Sequence, residues 1–170
     1  MLMQVCNCTY REWKVEDAQI NRSVDRAIEE LRADFLLASQ FLVTFMSLER
    51  MLLRKPGFRR DGAYVISWDS VVSALASVEL AAPPDYLCRL CGCPPKEINA
   101  DGTWPNRAEA LEPTLANALE CLRRMRNNLA HGSKGDGEND RNNALLKMGL
   151  MVLAYIDSEN IARRLVEAGD

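Results

Sequence analysis

Apolar residues recur at three- and four-residue steps along most of the chain. Between about Asp17 and Leu53 the positions Ile20, Val24, Ile28, Leu31, Phe35, Ala38, Leu42, Phe45 and Leu52 share one stripe of a helix. The spacing predicts one long helix, broken at most once. RKPGFRRDG, from Arg54 to Gly62, ends it, because Pro56 cannot continue a helix and Gly57 and Gly62 suit a turn. A shorter helix follows, with Ser67 placed to cap it, Asp69 near its positive end, and Trp68, Val71, Val72 and Leu75 on its buried face. From Ala82 to Arg107, five prolines, Gly92 and Gly102 break any period, so a long irregular connection is expected, with at most a turn of helix after Pro84. Leu111, Leu115, Leu119, Leu122, Met125 and Leu129 resume the helical spacing, which Pro113 can join only in a first turn. The polar loop HGSKGDGEND then leads to Asn139 or Asp140 as the cap of a last long helix. Its run ALLKMGLMVLAYI is apolar on nearly every side and belongs at the centre of a bundle. Ile161, Leu165 and Val166 mark a short amphipathic tail. No strand pattern exceeds Tyr64 to Ile66, and no repeat is present. The expected fold is all-α: a four- to five-helix up-and-down bundle, a single domain over residues 1–170 with a loop-rich insert at 82–107.

A chain of 170 residues that is 48% apolar can build a sizeable core, which excludes collagenous and disordered classes. Its 21 Lys and Arg against 24 Asp and Glu leave a net charge of -3, so contact with nucleic acid must use a local basic patch. The start MLMQVCNCTYREW lacks the basic and apolar regions of a secretory leader. Even Met148 to Ile156 is short for a bilayer span, so the expectation is a cytoplasmic protein with no membrane contact. In that compartment the six cysteines read as thiols. Cys88, Cys91 and Cys93, with Cys6 or Cys8, supply enough thiolates for a structural zinc staple if the N-terminus folds over the insert. Only one C-x-x-C pair exists, however, where a zinc knuckle has two.

The single histidine, His131, rules out HExxH chemistry and any multi-imidazole metal site within one chain. It closes the densest polar constellation, CLRRMRNNLAHGSKGDG, in which Arg123, Arg124, Arg126, Asn127, Asn128, His131 and Lys134 fall together at a helix end. Five positions would splay Arg126 and His131 by about 140° on an ideal helix. They converge only if the helix ends before His131, a role to which Gly132 is suited. Read blandly, the same residues are a helix C-terminus collecting cations for its dipole.

The stretch RNNLAHGSK, with Arg126, Asn127 and His131 in an R-N-x-x-x-H order at the end of a penultimate helix, resembles the HEPN superfamily. The likeness extends to the Asp140-Arg141 start of the next helix and, more loosely, to the helical layout. The resemblance implies a homodimer whose two motifs face each other to form one metal-independent endoribonuclease site, with no cofactor, in toxins and in antiviral or stress-response systems. It equally implies, as an alternative, a catalytically silent module that binds RNA, a nucleotide or a protein partner such as an antitoxin. Chemistry favours the composite site independently. Attack of a 2′-hydroxyl on the adjacent phosphate needs a base, an acid and donors around the phosphorane. With one imidazole per chain, only a symmetric pair supplies both. Arg126 would hold the phosphate and Asn127 would orient it or the imidazole.

Arg123, Arg124 and Lys134 are candidate RNA-binding cations beside that site, or solvated helix-end charges. Arg54, Lys55, Arg59 and Arg60 form a second basic run with the same two readings. GSKGDG lacks the G-x4-G-K-[ST] order and follows no strand, so it is no phosphate loop. Glu29 and Glu30 read as solvated charge. Asp136, Glu138 and Asp140 read as partners of Arg141 or Lys134 or as caps, and Trp13, Trp68 and Trp104 as core or rim residues.

Overall fold

The computed structural model describes residues 33–61, 63–78, 80, 82–97, 108–130 and 139–167. These form an all-α fold of six helices: α1 (Phe35–Leu52), α2 (Trp68–Ala76), α3 (Asp85–Gly92), α4 (Leu115–Ala130), α5 (Asn139–Ser158) and α6 (Ile161–Glu167). Among the described residues, β-pairing is confined to one antiparallel bridge between Arg59 and Ile66.

Helix α1 starts after Asp34, whose extended backbone (ψ 120°) places its carboxylate as an N-cap accepting from the Leu37 amide at 2.8 Å. The expected stretch from Asp17 to residue 32 lies outside the described residues. With the start fixed there, α1 buries Ala38, Phe41, Phe45, Leu48 and Leu52, while Phe35 is exposed and Leu42 half-buried. Ala38, Phe45 and Leu52 are thus buried as the spacing predicts, while Phe41 and Leu48 join them in place of Phe35 and Leu42. Residues 35–52 are also long and apolar enough to cross a membrane, by length and composition alone. The run is longer than expected because Glu49 and Arg50 are its only charges.

The other departures are local. Ser67 occupies the N-cap of α2, but its hydroxyl pairs with Ser70 Oγ at 2.9 Å and caps no amide. The connection from 82 to 107 contains the two-turn helix α3, one helix more than expected, because Pro84 serves as its N-cap and Asp85 favours its first turn. Pro113 stands before α4, which starts at Leu115, and Thr114 Oγ1 accepts from the Asn117 amide at 3.2 Å. Asn139 and Asp140 already lie within α5. Asn160, in the left-handed region (φ 51°), turns the chain from α5 into α6.

Helix α5 packs against α1, α3, α4 and α6, and α4 packs against α1, α2, α3 and α5. Gly149 permits the closest approach: a Cβ there would stand 2.7 Å from Met125 Cε and 2.9 Å from Phe41 Cε2, so α1, α4 and α5 meet over a residue with no side chain. Two hydrogen bonds tie the layers. The Asp34 amide donates to Asn143 Oδ1 at 2.7 Å, and the Leu111 amide to the Cys91 carbonyl at 2.9 Å. This framework fixes the C-terminal half of α4 beside the middle of α1.

Candidate functional site

Arg126 and Asn127 project from the last turns of α4. Their side chains are joined, Arg126 Nη1 donating to Asn127 Oδ1 at 3.3 Å, and Arg126 Nη2 lies 3.9 Å from Glu49 Oε1 on α1. The Glu49 side chain is only 20% exposed. Burial pushes its carboxyl above the usual carboxylate range, partly opposed by the Arg126 charge. The guanidinium thus donates to an amide at one corner and has a carboxylate 3.9 Å away at another, leaving N–H donors for a further anion.

These residues line one wall of a cleft of about 340 Å³. Phe45, Leu53, Ile66 and Trp68 form its apolar floor. Arg60, Tyr64 and Val65 come from the bend between α1 and α2, and Arg123 stands beside Arg126. The ring of Trp68 lies 5.6 Å from that of Phe45, which roots the floor in the core. Residues nearly eighty positions apart in sequence meet here because α1, α2 and α4 pack together.

Arg123 and Arg124 face a different neighbour. Glu120, one turn back on the same helix, accepts from Arg123 Nε at 2.7 Å, Arg123 Nη2 at 2.8 Å and Arg124 Nε at 3.0 Å. Burial pushes the Glu120 carboxyl up, but these charged hydrogen bonds outweigh it and hold the group below its ordinary range. Arg124 also approaches Glu97 Oε2 at 3.3 Å. Both guanidiniums are therefore already engaged by acids. Asn128 donates to the Lys96 carbonyl at 3.0 Å and so ties the end of α4 to the connection after α3. His131 and Lys134 lie outside the described residues, as do Asp136 and Glu138. Arg141 donates to the Pro94 carbonyl at 3.5 Å.

The cysteine trio diverges. Cys88 donates to the Pro83 carbonyl at 3.7 Å, Cys93 is exposed, and Cys91 is turned into the core beside Cys121. Hydrogen bonding between the latter two and burial keep Cys121 a thiol. Cys6 and Cys8 lie outside the described residues. Among the described residues, no three His, Cys, Asp or Glu side chains are grouped to hold a metal.

Sequence reasoning missed Glu49 and Tyr64. Glu49 carries a signal in retrospect, as the one acid in the apolar run of α1. Tyr64 carries none, since its place depends on how the bend folds. No protein-family model, curated protein or solved structure matches the chain.

Proposed function

We propose that the protein is a metal-independent endoribonuclease of the HEPN kind, acting as a symmetric homodimer on single-stranded RNA. The reading is supported above all by the Arg126–Asn127–Glu49 arrangement: an arginine lining a cleft, hydrogen-bonded to an amide and 3.9 Å from a carboxylate, at a helix end that His131 follows in sequence. In the proposed reaction one His131 takes the proton of a 2′-hydroxyl, whose oxygen attacks the adjacent phosphorus. The P–O5′ bond breaks, and the second subunit's imidazolium protonates the departing 5′-oxygen. Arg126 neutralises charge building on the phosphorane. The products are a 2′,3′-cyclic phosphate and a 5′-hydroxyl. No cofactor is needed, and a toxin or defence role, with or without a neutralising protein partner, fits such chemistry.

The test is incubation of purified protein with single-stranded RNA in excess chelator. New cyclic-phosphate ends are expected, and Arg126→Ala or His131→Ala should lower their rate by at least about 100-fold with the helical fold intact. RNA that is retarded but uncut would identify the chain as a binding module instead. Undiminished cleavage by either variant overturns the assignment of roles.

A further inference from the structure

The bend between α1 and α2 is built more firmly than a connecting turn requires. Arg59 and Ile66 form an antiparallel bridge, the Arg60 amide donates to the Val65 carbonyl at 2.9 Å, and the Ser67 amide donates to the Phe58 carbonyl at 2.8 Å. Asp61 turns the tip in the left-handed region, φ 48°. Arg59 Nε is anchored on the Leu53 carbonyl at 2.7 Å, and its guanidinium lies 4.9 Å from the centre of the Tyr64 ring. A pinned cation thus holds one side of an aromatic ring whose residue is 72% exposed. Apolar burial does not account for holding an outward ring in this way.

The ring stands on the rim of the cleft that Arg126 and Asn127 also line. Among the described residues, three guanidiniums, of Arg60, Arg123 and Arg126, line it against the carboxylate of Glu49, with Glu120 balancing Arg123 from behind. A ligand that alternates a flat π-face with an anionic link matches that alternation of ring and cation. An acidic peptide would satisfy the cations and leave Tyr64 unused. The volume, about 340 Å³, is at the small end of ligand clefts and suits one nucleotide unit better than a duplex.

We propose that Tyr64, braced by Arg59, is a base-stacking platform that seats an unpaired nucleotide of RNA beside Arg126, and that it makes the site select single strands over duplexes. This rests on the ribonuclease reading but concerns a binding subsite, not the reacting atoms. Stacking on one ring is tolerant of base identity, so no sequence preference is expected from it.

The experiment measures affinity for a 2′-O-methylated single-stranded oligonucleotide, which cannot be cut, and for a duplex of the same length. Wild type, Tyr64→Ala, Tyr64→Phe and Arg126→Ala are compared across a salt series. Tyr64→Ala should weaken single-strand binding by roughly 5- to 100-fold without changing its salt slope, because stacking releases no counterions. Tyr64→Phe should bind as wild type. Arg126→Ala should flatten the slope by about 0.7, the share of a single phosphate on one strand. Unchanged affinity in Tyr64→Ala, equal losses in Tyr64→Ala and Tyr64→Phe, or an equal loss on the duplex each overturn the platform while leaving the ribonuclease reading in place. Failure of the wild type to bind either RNA overturns both.

Discussion

Glu49 and Glu120 are two half-buried glutamates beside arginines, and their environments push them in opposite directions. Glu49 is desolvated against one distant guanidinium at 3.9 Å, whereas Glu120 accepts three charged hydrogen bonds of 2.7–3.0 Å. A carboxyl whose folded-state pKa is raised costs stability once pH rises through the ordinary carboxylate range, because its charged form is better solvated in the unfolded chain. Glu49→Gln should therefore be slightly more stable than wild type at pH 7, by less than about 1 kcal/mol, and equal to it near pH 4. On the proposed ribonuclease reading, cleavage should also fall in the same variant, as Arg126 loses the neighbouring carboxylate. Lower stability of Glu49→Gln at pH 7 in chemical denaturation would refute the account. The depressed pKa of Glu120 gives the opposite sign: its contribution is complete above the ordinary carboxylate range and is lost as pH falls through the folded value. Glu120→Gln should cost about 1–2 kcal/mol at pH 7, with the difference closing in acid, read from urea midpoints across pH. Sequence reasoning passed over the Glu120 pairing, although an acid three and four positions before Arg123 and Arg124 lies on their helix face and the spacing alone carries the signal. The Glu49 pairing was not legible there, because it joins residues far apart in the chain through the packing of α1 on α4.

At the scale of elements, periodicity located α2, α4, α5 and α6 because each carries its own buried stripe. What it misplaced was part of the phase of α1. Spacing alone draws the stripe of α1 through Phe35, Ala38, Leu42, Phe45 and Leu52; Ala38, Phe45 and Leu52 are buried as expected, but Phe41 and Leu48 are buried where Phe35 is exposed and Leu42 half-buried. Pro83 and Pro84 read as breakers of helix, yet a proline just ahead of a helix presets its entry, and α3 begins there. The Gly149 contact was likewise unreadable from one helix, since glycine in a helix interior is ordinarily a weakness of about 1 kcal/mol against alanine. Here the space a side chain would fill is already taken by Met125, Phe41 and Leu122. Gly149→Val should lose at least about 2 kcal/mol despite its better backbone preference, because Phe41 and Leu122 are themselves fully buried and have no solvent to move toward. Thermal melting checks this, and a gain in Tm would show that α1 and α5 can separate without penalty.

For the whole molecule, one histidine in 170 residues is the fact with the furthest reach. It excluded a two-imidazole mechanism within one chain from the sequence alone. The described lining of the cleft brings Arg126 and Asn127 together with Glu49. In the proposed reaction one group takes a proton and another gives one; if both are imidazoles, a single one per chain calls for a twofold axis close to the site. If both imidazoles of a dimer are needed, wild-type chains mixed with an equal amount of His131→Ala and allowed to exchange subunits form wild-type dimers in only about a quarter of cases, so activity per total protein falls to about a quarter. If each chain cleaves alone, the same mixture retains about half. Subunit exchange is driven by dilution and reconcentration, dimers are verified by sedimentation, and the rate of cyclic-phosphate formation is followed as the wild-type fraction varies. A dependence on the square of that fraction is the expected result. A linear dependence, or a sedimentation pattern showing monomers at the concentrations where RNA is cut, would mean that His131 acts without its twin and that the second proton is carried by another group.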